Sequence, residues 1–158
     1  MLFESANINK LACYLQVDFY ICSVKEIKKR SDCPISSILD IVGDKWSLLI
    51  IRDIMMTGKN TYNEFLKSEE NIATNVLADR LAMLESVGIL TKEKHPKSKA
   101  KIFYRLTKQG TDLLPILIEM IVWSDKYLTI APQAKVFAKM IKKDKEAVIK
   151  GIAASLKK

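Results

Sequence analysis

The 158-residue sequence contains few of the residues that interrupt a chain or cross-link it. It has five glycines, four prolines, three cysteines and a single histidine. So few glycines and prolines exclude a collagen-like or low-complexity chain and favour helix. The cysteines stand at positions 13, 22 and 33, an odd number in a spacing without histidine that fits neither a disulfide framework nor a zinc site. We therefore expect that the protein binds no metal or other cofactor. We also expect that its cysteines stay as free thiols in a reducing cytoplasm.

Long apolar runs are also missing. The apolar stretch 11–24 contains Gln16 and Asp18, and it is shorter than the roughly 20 residues that span a bilayer. Glu4 lies where a signal peptide carries positive charge. We therefore expect a cytoplasmic protein without a membrane partner.

The common enzyme motifs are absent as well. The sequence has no glycine-rich phosphate loop and no Gly-x-Ser-x-Gly element. The lone histidine, His95, cannot build a histidine-based triad or metal cluster. These absences predict that the protein is not an enzyme.

Positive charge is abundant and unevenly distributed, with 26 basic against 18 acidic residues and a net charge of +8. Residues 133–158 hold eight lysines against two acids, and residues 92–108 hold seven basic residues against Glu93 alone. Two basic clusters indicate a polyanionic partner, most often nucleic acid, although a solvated surface has the same composition.

The hydrophobic pattern predicts a mainly α chain with one small β-hairpin. Asp44 is expected to cap the second helix, and Thr61 with Glu64 forms a capping box before the third. The predicted helices begin at 33 (ending at Gly43), 45, 61, 74, 108 and 133, and the predicted strands cover 89–95 and 101–107. A final helix is expected to reach residue 156 without a break.

Two helices joined by a tight turn and followed by a basic hairpin predict a winged helix-turn-helix with long C-terminal dimerisation helices. We expect three regions. Residues 1–32 form an N-terminal extension, residues 33–110 the winged helix-turn-helix DNA-binding domain, and residues 111–158 the dimerisation helices with a basic tail.

Four motifs carry a resemblance to a known family. They are Cys33–Pro34, Gly43–Asp44–Lys45–Trp46, the leucine block ending at Gly88, and the Tyr104–Thr107 segment followed by Gly110. Over residues 33–128 the chain resembles the HxlR-type winged-helix transcriptional regulators of bacteria. The resemblance implies a dimeric DNA-binding regulator whose long helix after the wing takes part in dimerisation. Where the family usually has a serine cap on its recognition helix, this chain has Ala73, so Thr74 or Asn71 must substitute or the helix start will fray.

The recognition helix 74–88 turns Leu77, Leu81 and Leu84 to the core, which leaves its other face for DNA. Asn75 can read adenine, whereas Arg80 has two open roles, a phosphate contact or an internal pair with Glu85 or Glu64. The candidate DNA contacts are Thr74, Asn75, Ala78, Asp79 and Arg80 on this helix, Tyr62 and Asn63 on the preceding one, and Lys97, Lys99 and Lys101 in the wing.

Cys33 opens a helix, where the dipole favours the thiolate, so it is either an oxidant or electrophile sensor or a small buried apolar residue. The predicted dimerisation stripe consists of Leu113, Leu114, Leu117, Met120, Ile121, Ser124 and Leu128. The expected partners are double-stranded DNA and a second copy of the chain, with an oxidant or small-molecule effector left open. The alternative is a winged-helix interaction module that does not bind specific DNA.

Overall fold

A computed structural model describes residues 30–95 and 98–156. Cys13 and Cys22 lie outside the described residues, and so does Lys97. The described elements are α1 (Pro34–Val42), α2 (Ser47–Arg52), α3 (Tyr62–Leu66), α4 (Thr74–Ser86), β1 (Leu90–His95), β2 (Ser98–Leu106), α5 (Lys108–Thr111), α6 (Leu114–Tyr127), α7 (Pro132–Lys143) and α8 (Lys145–Ser155).

The first two helices follow the predicted pattern closely. Pro34 begins α1, and Gly43 ends it as its C-cap. The Asp44 carboxylate accepts hydrogen bonds from the backbone N–H groups of Trp46 (2.8 Å) and Ser47 (3.0 Å), which confirms it as a cap of α2. After Arg52 the helix continues as a π-helical turn, Asp53–Thr57, which the sequence pattern did not predict.

Helices α3 and α4 form the helix-turn-helix. The predicted capping box is present, with Glu64 Oε2 accepting from the backbone N–H of Thr61 at 2.9 Å. Asn71, in the turn, has a positive φ of 53°, a left-handed conformation that asparagine tolerates better than most residues. Leu77, Leu81 and Leu84 are at most 1% exposed, as their helical spacing predicts.

One continuous core lies beneath these helices. It also takes in buried residues from the start of α6 and from α7, so the helices after the wing pack on the helix-turn-helix rather than standing apart from it. The largest fully buried side chains among the described residues are Ile51, Phe65, Leu77, Leu81, Leu84, Ile89, Leu90, Leu114, Ile118 and Ile141, together with Ser47.

The wing is an antiparallel hairpin of β1 and β2, in which Lys92 faces Tyr104. Gly88 precedes it with a φ of 77°, a conformation that favours glycine and ends α4 as predicted. The hairpin is also tied to the start of α3, because the backbone N–H of Tyr104 donates to the Asn60 carbonyl at 2.7 Å. The wing therefore has a fixed position beside the helix-turn-helix.

The region after the wing differs from the prediction at two breaks. The single helix expected from Lys108 to residue 128 is two helices, because α5 ends at Thr111 and α6 begins at Leu114. Pro115 lies at the start of α6, where its missing N–H removes no helical hydrogen bond.

The helix expected over 133–156 is also divided. Asp144 has a non-helical backbone (φ −153°, ψ 87°), and its carboxylate accepts from the backbone N–H of Ala147 at 2.9 Å. Asp144 therefore separates α7 from α8 and caps the second helix. No helix in residues 30–95 or 98–156 is both long and apolar enough to cross a membrane.

Candidate nucleic-acid interface

The face of α4 opposite its leucines is open to solvent. Four of the five predicted contacts on this helix, Thr74, Asn75, Ala78 and Asp79, are exposed, and no described residue hydrogen-bonds to the Asn75 amide group. Residues at i, i+3 and i+4 share one helical face, so the four lie together. This face can present hydrogen-bonding groups to an external partner.

The start of α4 carries no side-chain cap among the described residues. Ala73 is the N-cap, and neither Thr74 nor Asn71 replaces the missing serine, since the Asn71 amide donates to the Glu69 carbonyl at 2.9 Å. The expectation of a substitute cap is therefore wrong. The helix nevertheless begins at Thr74, and its first N–H groups remain available to an oxygen ligand.

Tyr62 joins the two helices of the motif. Its hydroxyl donates to the Thr74 carbonyl at 2.7 Å, so its proton is already used inside the protein. Asn63, one residue further along α3, is exposed. Of the two predicted contacts on α3, Asn63 is thus the one whose side chain faces solvent freely.

The wing cations fall into two groups. Lys99 and Lys101 lie on β2, but the structure does not describe their side chains. Lys97 lies outside the described residues. Lys92 pairs with Glu85, and Arg105 Nε donates to Glu93 Oε2 at 2.7 Å.

Lys94 extends the wing surface beyond the predicted contacts. It is exposed on β1, and no ion pair to it is found among the described residues. The sequence signal for Lys94 as a DNA contact was its place in the basic run 92–108. Charge density alone does not distinguish it from neighbours that form ion pairs.

Arg80 makes different contacts from those predicted. Its Nε donates to Asp79 Oδ2 at 3.2 Å, and its Nη1 lies 3.4 Å from Asp44 Oδ2. Neither Glu85 nor Glu64 is its partner in the described structure, because Glu85 is paired with Lys92 and Glu64 bonds to the backbone at Thr61. The Asp79 hydrogen bond is the main cause that raises the pKa of Arg80.

A buried ionic network supports the motif from behind. Asp53, 2% exposed at the start of the π-helical turn, accepts from Lys59 Nζ at 3.0 Å and from the Ser68 hydroxyl. Arg52 bridges Asp53 to Glu70, and the Glu70 hydrogen bond raises the pKa of Arg52 further above its ordinary range. The Lys59 ammonium group thus joins the π-helical turn to the α3–α4 turn, since it also donates to the Ser68 hydroxyl at 2.8 Å.

The apolar face of α6 differs from the predicted stripe. Leu113, Leu114 and Leu117 are at most 7% exposed and belong to the core of their own chain, so they offer no surface to a partner. Met120 and Leu128 are exposed as expected, whereas Ile121 and Ser124 are half-buried. The exposed stripe adds Ile116, Trp123 and Tyr127, which line a shallow apolar groove with Met120.

Cys33 is exposed and acts as the N-cap residue of α1, so the interpretation as a buried apolar residue is wrong. Its carbonyl accepts the first helical hydrogen bond, from the Ser37 N–H at 3.0 Å. In the described part of the chain, no group of three or more His, Cys, Asp and Glu side chains could hold a metal ion.

A family model for the HxlR-like helix-turn-helix matches residues 41–132, which run from the last two residues of α1 to the first residue of α7 and include the whole motif and wing. The chain belongs to the HxlR family. Its helix-turn-helix, wing and following helix are therefore the shared part of the molecule. Most of α7 and all of α8 lie beyond the matched residues.

Named relatives of this HxlR protein are transcriptional regulators. It is 34% identical over 95 residues to the HTH-type transcriptional regulator YdeP of Bacillus subtilis, covering 60% of this chain and 73% of YdeP. It is 32% identical to YodB of the same bacterium, covering 60% of this chain and 85% of YodB. These matches confirm the prediction of a transcriptional regulator rather than an enzyme.

Solved structures agree in fold. The redox regulator HypR in its oxidized form matches with a TM-score of 0.56 at 32% identity, over 62% of this chain and 100% of HypR. The reduced form of YodB from B. subtilis matches with a TM-score of 0.52 at 32% identity, over 61% of this chain and 95% of YodB. The winged-helix fold predicted from the sequence is thus confirmed.

Proposed function

We propose that this HxlR-family regulator binds two-fold operator DNA as a homodimer, with α4 in the major groove. The observation that carries the proposal is the division of α4 into a buried leucine face and an exposed polar face containing Asn75. The major groove, about 12 Å wide, admits an α-helix. The Asn75 amide then pairs with an adenine edge, and Thr74 bonds a base or a phosphate.

Phosphate contacts come from the elements around α4. The uncapped start of α4 offers backbone N–H groups to a phosphate oxygen, and Asn63 lies on the adjoining helix. Lys97, Lys99 and Lys101, with Lys94, supply positive charge from the wing. Such contacts fix the register of the protein on DNA, while base contacts supply sequence preference.

A gel-shift titration at several salt concentrations tests this function, with DNA from upstream of the protein's own gene and a scrambled duplex. We expect specific binding above a salt-dependent background. Changing Lys97 and Lys99 together to Ala should weaken both duplexes similarly and flatten the salt slope by up to about 0.9 per lost contact. Absence of both specific binding and salt dependence would favour the interaction-module alternative.

The proposed dimer uses the exposed apolar face of α6. Met120, Trp123 and Tyr127 are 48–58% exposed, and a contiguous exposed apolar patch of this kind marks an interaction surface. A two-fold axis between the α6 helices of the two subunits would set the two recognition helices about one DNA turn apart, roughly 34 Å.

We further propose that Cys33 responds to oxidants. Its exposure makes the thiol accessible to an oxidant in solution, and it stands as the N-cap residue of α1. The thiolate sulfur attacks one oxygen of hydrogen peroxide, an S–O bond forms as the O–O bond breaks, and Cys33 becomes a sulfenic acid. The other oxygen leaves as hydroxide and takes a proton from the solvent to form water. The similarity of this chain to the redox regulator HypR also supports a response to oxidants.

Alkylation rates and DNA binding after peroxide test the thiol. We expect Cys33 to react faster with a mild alkylating agent than a free thiol does, and Cys33→Ser to remove the peroxide effect on DNA binding. If the serine variant kept the full response to peroxide, Cys33 would be structural and another group would sense the oxidant.

A further inference from the structure

The contacts of Arg80 point to a role other than DNA contact. Although it lies on the recognition helix, its side chain is only 27% exposed, whereas that of its neighbour Asp79 is 68% exposed. The guanidinium lies between two carboxylates, those of Asp79 on the same helix and Asp44 at the start of α2. The hydrogen bonds that Arg80 donates in the described structure therefore go to two carboxylates of its own chain.

Asp44 is a firmly held partner. Besides the two backbone N–H groups that it caps, its carboxylate accepts from the Ser47 hydroxyl, and Ser47 is completely buried. Burial raises the pKa of Asp44, but hydrogen bonds from Ser47 and Trp46 and the charge of Arg80 together lower it below its ordinary value. Asp44 therefore stays charged, and Arg80 links α4 to the fixed start of α2.

The second carboxylate that Arg80 contacts, that of Asp79, is a negative charge on the proposed DNA-binding face. This carboxylate lies on the exposed face of α4, one helical turn from Asn75, which the proposed function places in the major groove between the phosphate backbones. Two negative charges about 4 Å apart repel even in water, and the repulsion grows as water is excluded. The adjacent guanidinium cancels this charge at the place where it would otherwise oppose binding.

We propose that Arg80 is a positioning residue of the DNA-binding surface, which anchors α4 to α2 through Asp44 and neutralises Asp79 without touching DNA itself. This inference rests on the proposed DNA-binding function. It differs from a phosphate contact in one measurable respect. An arginine that contacts phosphate releases a counterion, so its loss reduces the salt slope by about 0.9 per subunit.

The first experiment is a cycle of Arg80→Gln, Asp79→Asn and the double variant, measured by operator affinity at several salt concentrations. We expect R80Q to weaken binding, and D79N to improve affinity at least about 5-fold more in the R80Q background than in the wild type. The salt slope of R80Q should stay within about 0.3 of the wild type, well under the change from one lost phosphate contact. Equal effects of D79N in both backgrounds, with a slope reduced by about 0.9 per subunit, would overturn the inference.

Lys142→Gln is the matched control for loss of one positive charge. Lys142 Nζ pairs with Asp125 Oδ2 at 2.7 Å and joins α7 to α6, away from the α2–α4 contact. We expect K142Q to change operator affinity less than about 2-fold. A loss as large as that of R80Q would mean that net charge alone explains the R80Q effect, and the inference would fail.

A second cycle tests the anchor without DNA. Asp44→Asn keeps a good helix cap but removes the charge that faces Arg80. The unfolding equilibrium constants of D44N, R80Q and the double variant should show a coupling of at least about 2-fold, and amide exchange in α4 should rise in both single variants. Additive effects and unchanged exchange would overturn the anchoring role. If the wild type bound no specific DNA but this coupling held, the proposed function and the Asp79 role would be wrong while the anchor stood.

Discussion

Helices α4 and α6 have 13 and 14 residues, but their sequences restrict their orientation to different degrees. In α4 the leucines recur at 77, 81 and 84, and the other large apolar residues, Val76 and Met83, pack partly buried against the same core. One face of α4 therefore enters the core. In α6 apolar side chains occur on almost every side, and Trp123 is exposed while Ile118 is not. A single apolar stripe defines a buried face, whereas two stripes leave the choice to the neighbouring elements.

The largest expected effect tests the buried face of each helix. Leu81→Ala in α4 and Ile118→Ala in α6 remove side chains that are 1% and 0% exposed. Each should lower the free energy of unfolding by about 2–5 kcal/mol in urea denaturation, since a buried aliphatic side chain is lost and a cavity remains. Met120→Ala, at 48% exposure, is the control and should cost less than about 1 kcal/mol in the monomer. Equal costs for Met120 and Ile118 would show that the faces of α6 are assigned wrongly.

The second prediction concerns the exposed face of α6. Trp123→Ala should weaken the dimer by about 2 kcal/mol or more, because a large aromatic side chain near the centre of an interface carries much of its binding energy. Sedimentation equilibrium measures the change. Val136→Ala, an exposed apolar residue of α7 (61% exposed), is the matched control and should leave the dimer nearly unchanged. A wild-type chain that is monomeric at micromolar concentration would contradict the proposed interface.

The third prediction concerns the exposed face of α4. Asn75→Ala should cost about 1–3 kcal/mol per half-site on the operator and almost nothing on scrambled DNA, because a bidentate base contact distinguishes sequences. Competition gel shifts with both duplexes measure the difference. Gln109→Ala, exposed on α5, serves as the control. A uniform loss on both duplexes would assign Asn75 to the phosphate backbone instead.

The smallest effect concerns the attachment of α4 to α2. The pKa of Asp44 is lowered in the folded chain, so its contribution to stability is present above its ordinary value of 3.8 and is lost as the pH falls through the lower folded value. Stability measured by urea denaturation from pH 7 to pH 2.5 should therefore fall less steeply in Asp44→Asn than in the wild type. Parallel curves would mean that Asp44 carries no charge-dependent stability.

Local signals predicted most of the helix-turn-helix. The capping box of Thr61 and Glu64, the Asp44 cap and the end of α4 at Gly88 depend on residues within a few positions of one another, and the hairpin pairs two strands that are adjacent in the sequence. Such contacts form whenever the local sequence allows them, so pattern and spacing suffice to predict them. The exposed face of α4 could be predicted in the same way, because it lies opposite the leucines.

The partners of charged side chains could not be predicted in the same way. Arg80 meets Asp44, which lies 36 positions away, and Lys59 meets Asp53 and Ser68 rather than an external phosphate. A long cation reaches several carboxylates in any folded chain, and the distances that select one of them exist only after the helices have packed. For the same reason, basic residues that bind a partner and those that pair internally look alike in the sequence.

The sequence by itself determined which segments form helices and strands, which face of α4 is buried, and membership of a winged-helix family. Periodicity, caps and turn residues act over short distances along the chain, so they can be recognised in the sequence before the fold is known. The tertiary structure alone decided which stripe of α6 stays exposed and that Arg80 pairs with Asp44. Those outcomes depend on surfaces that meet only when distant segments pack, because apolar burial and ion pairing have no fixed spacing along the chain.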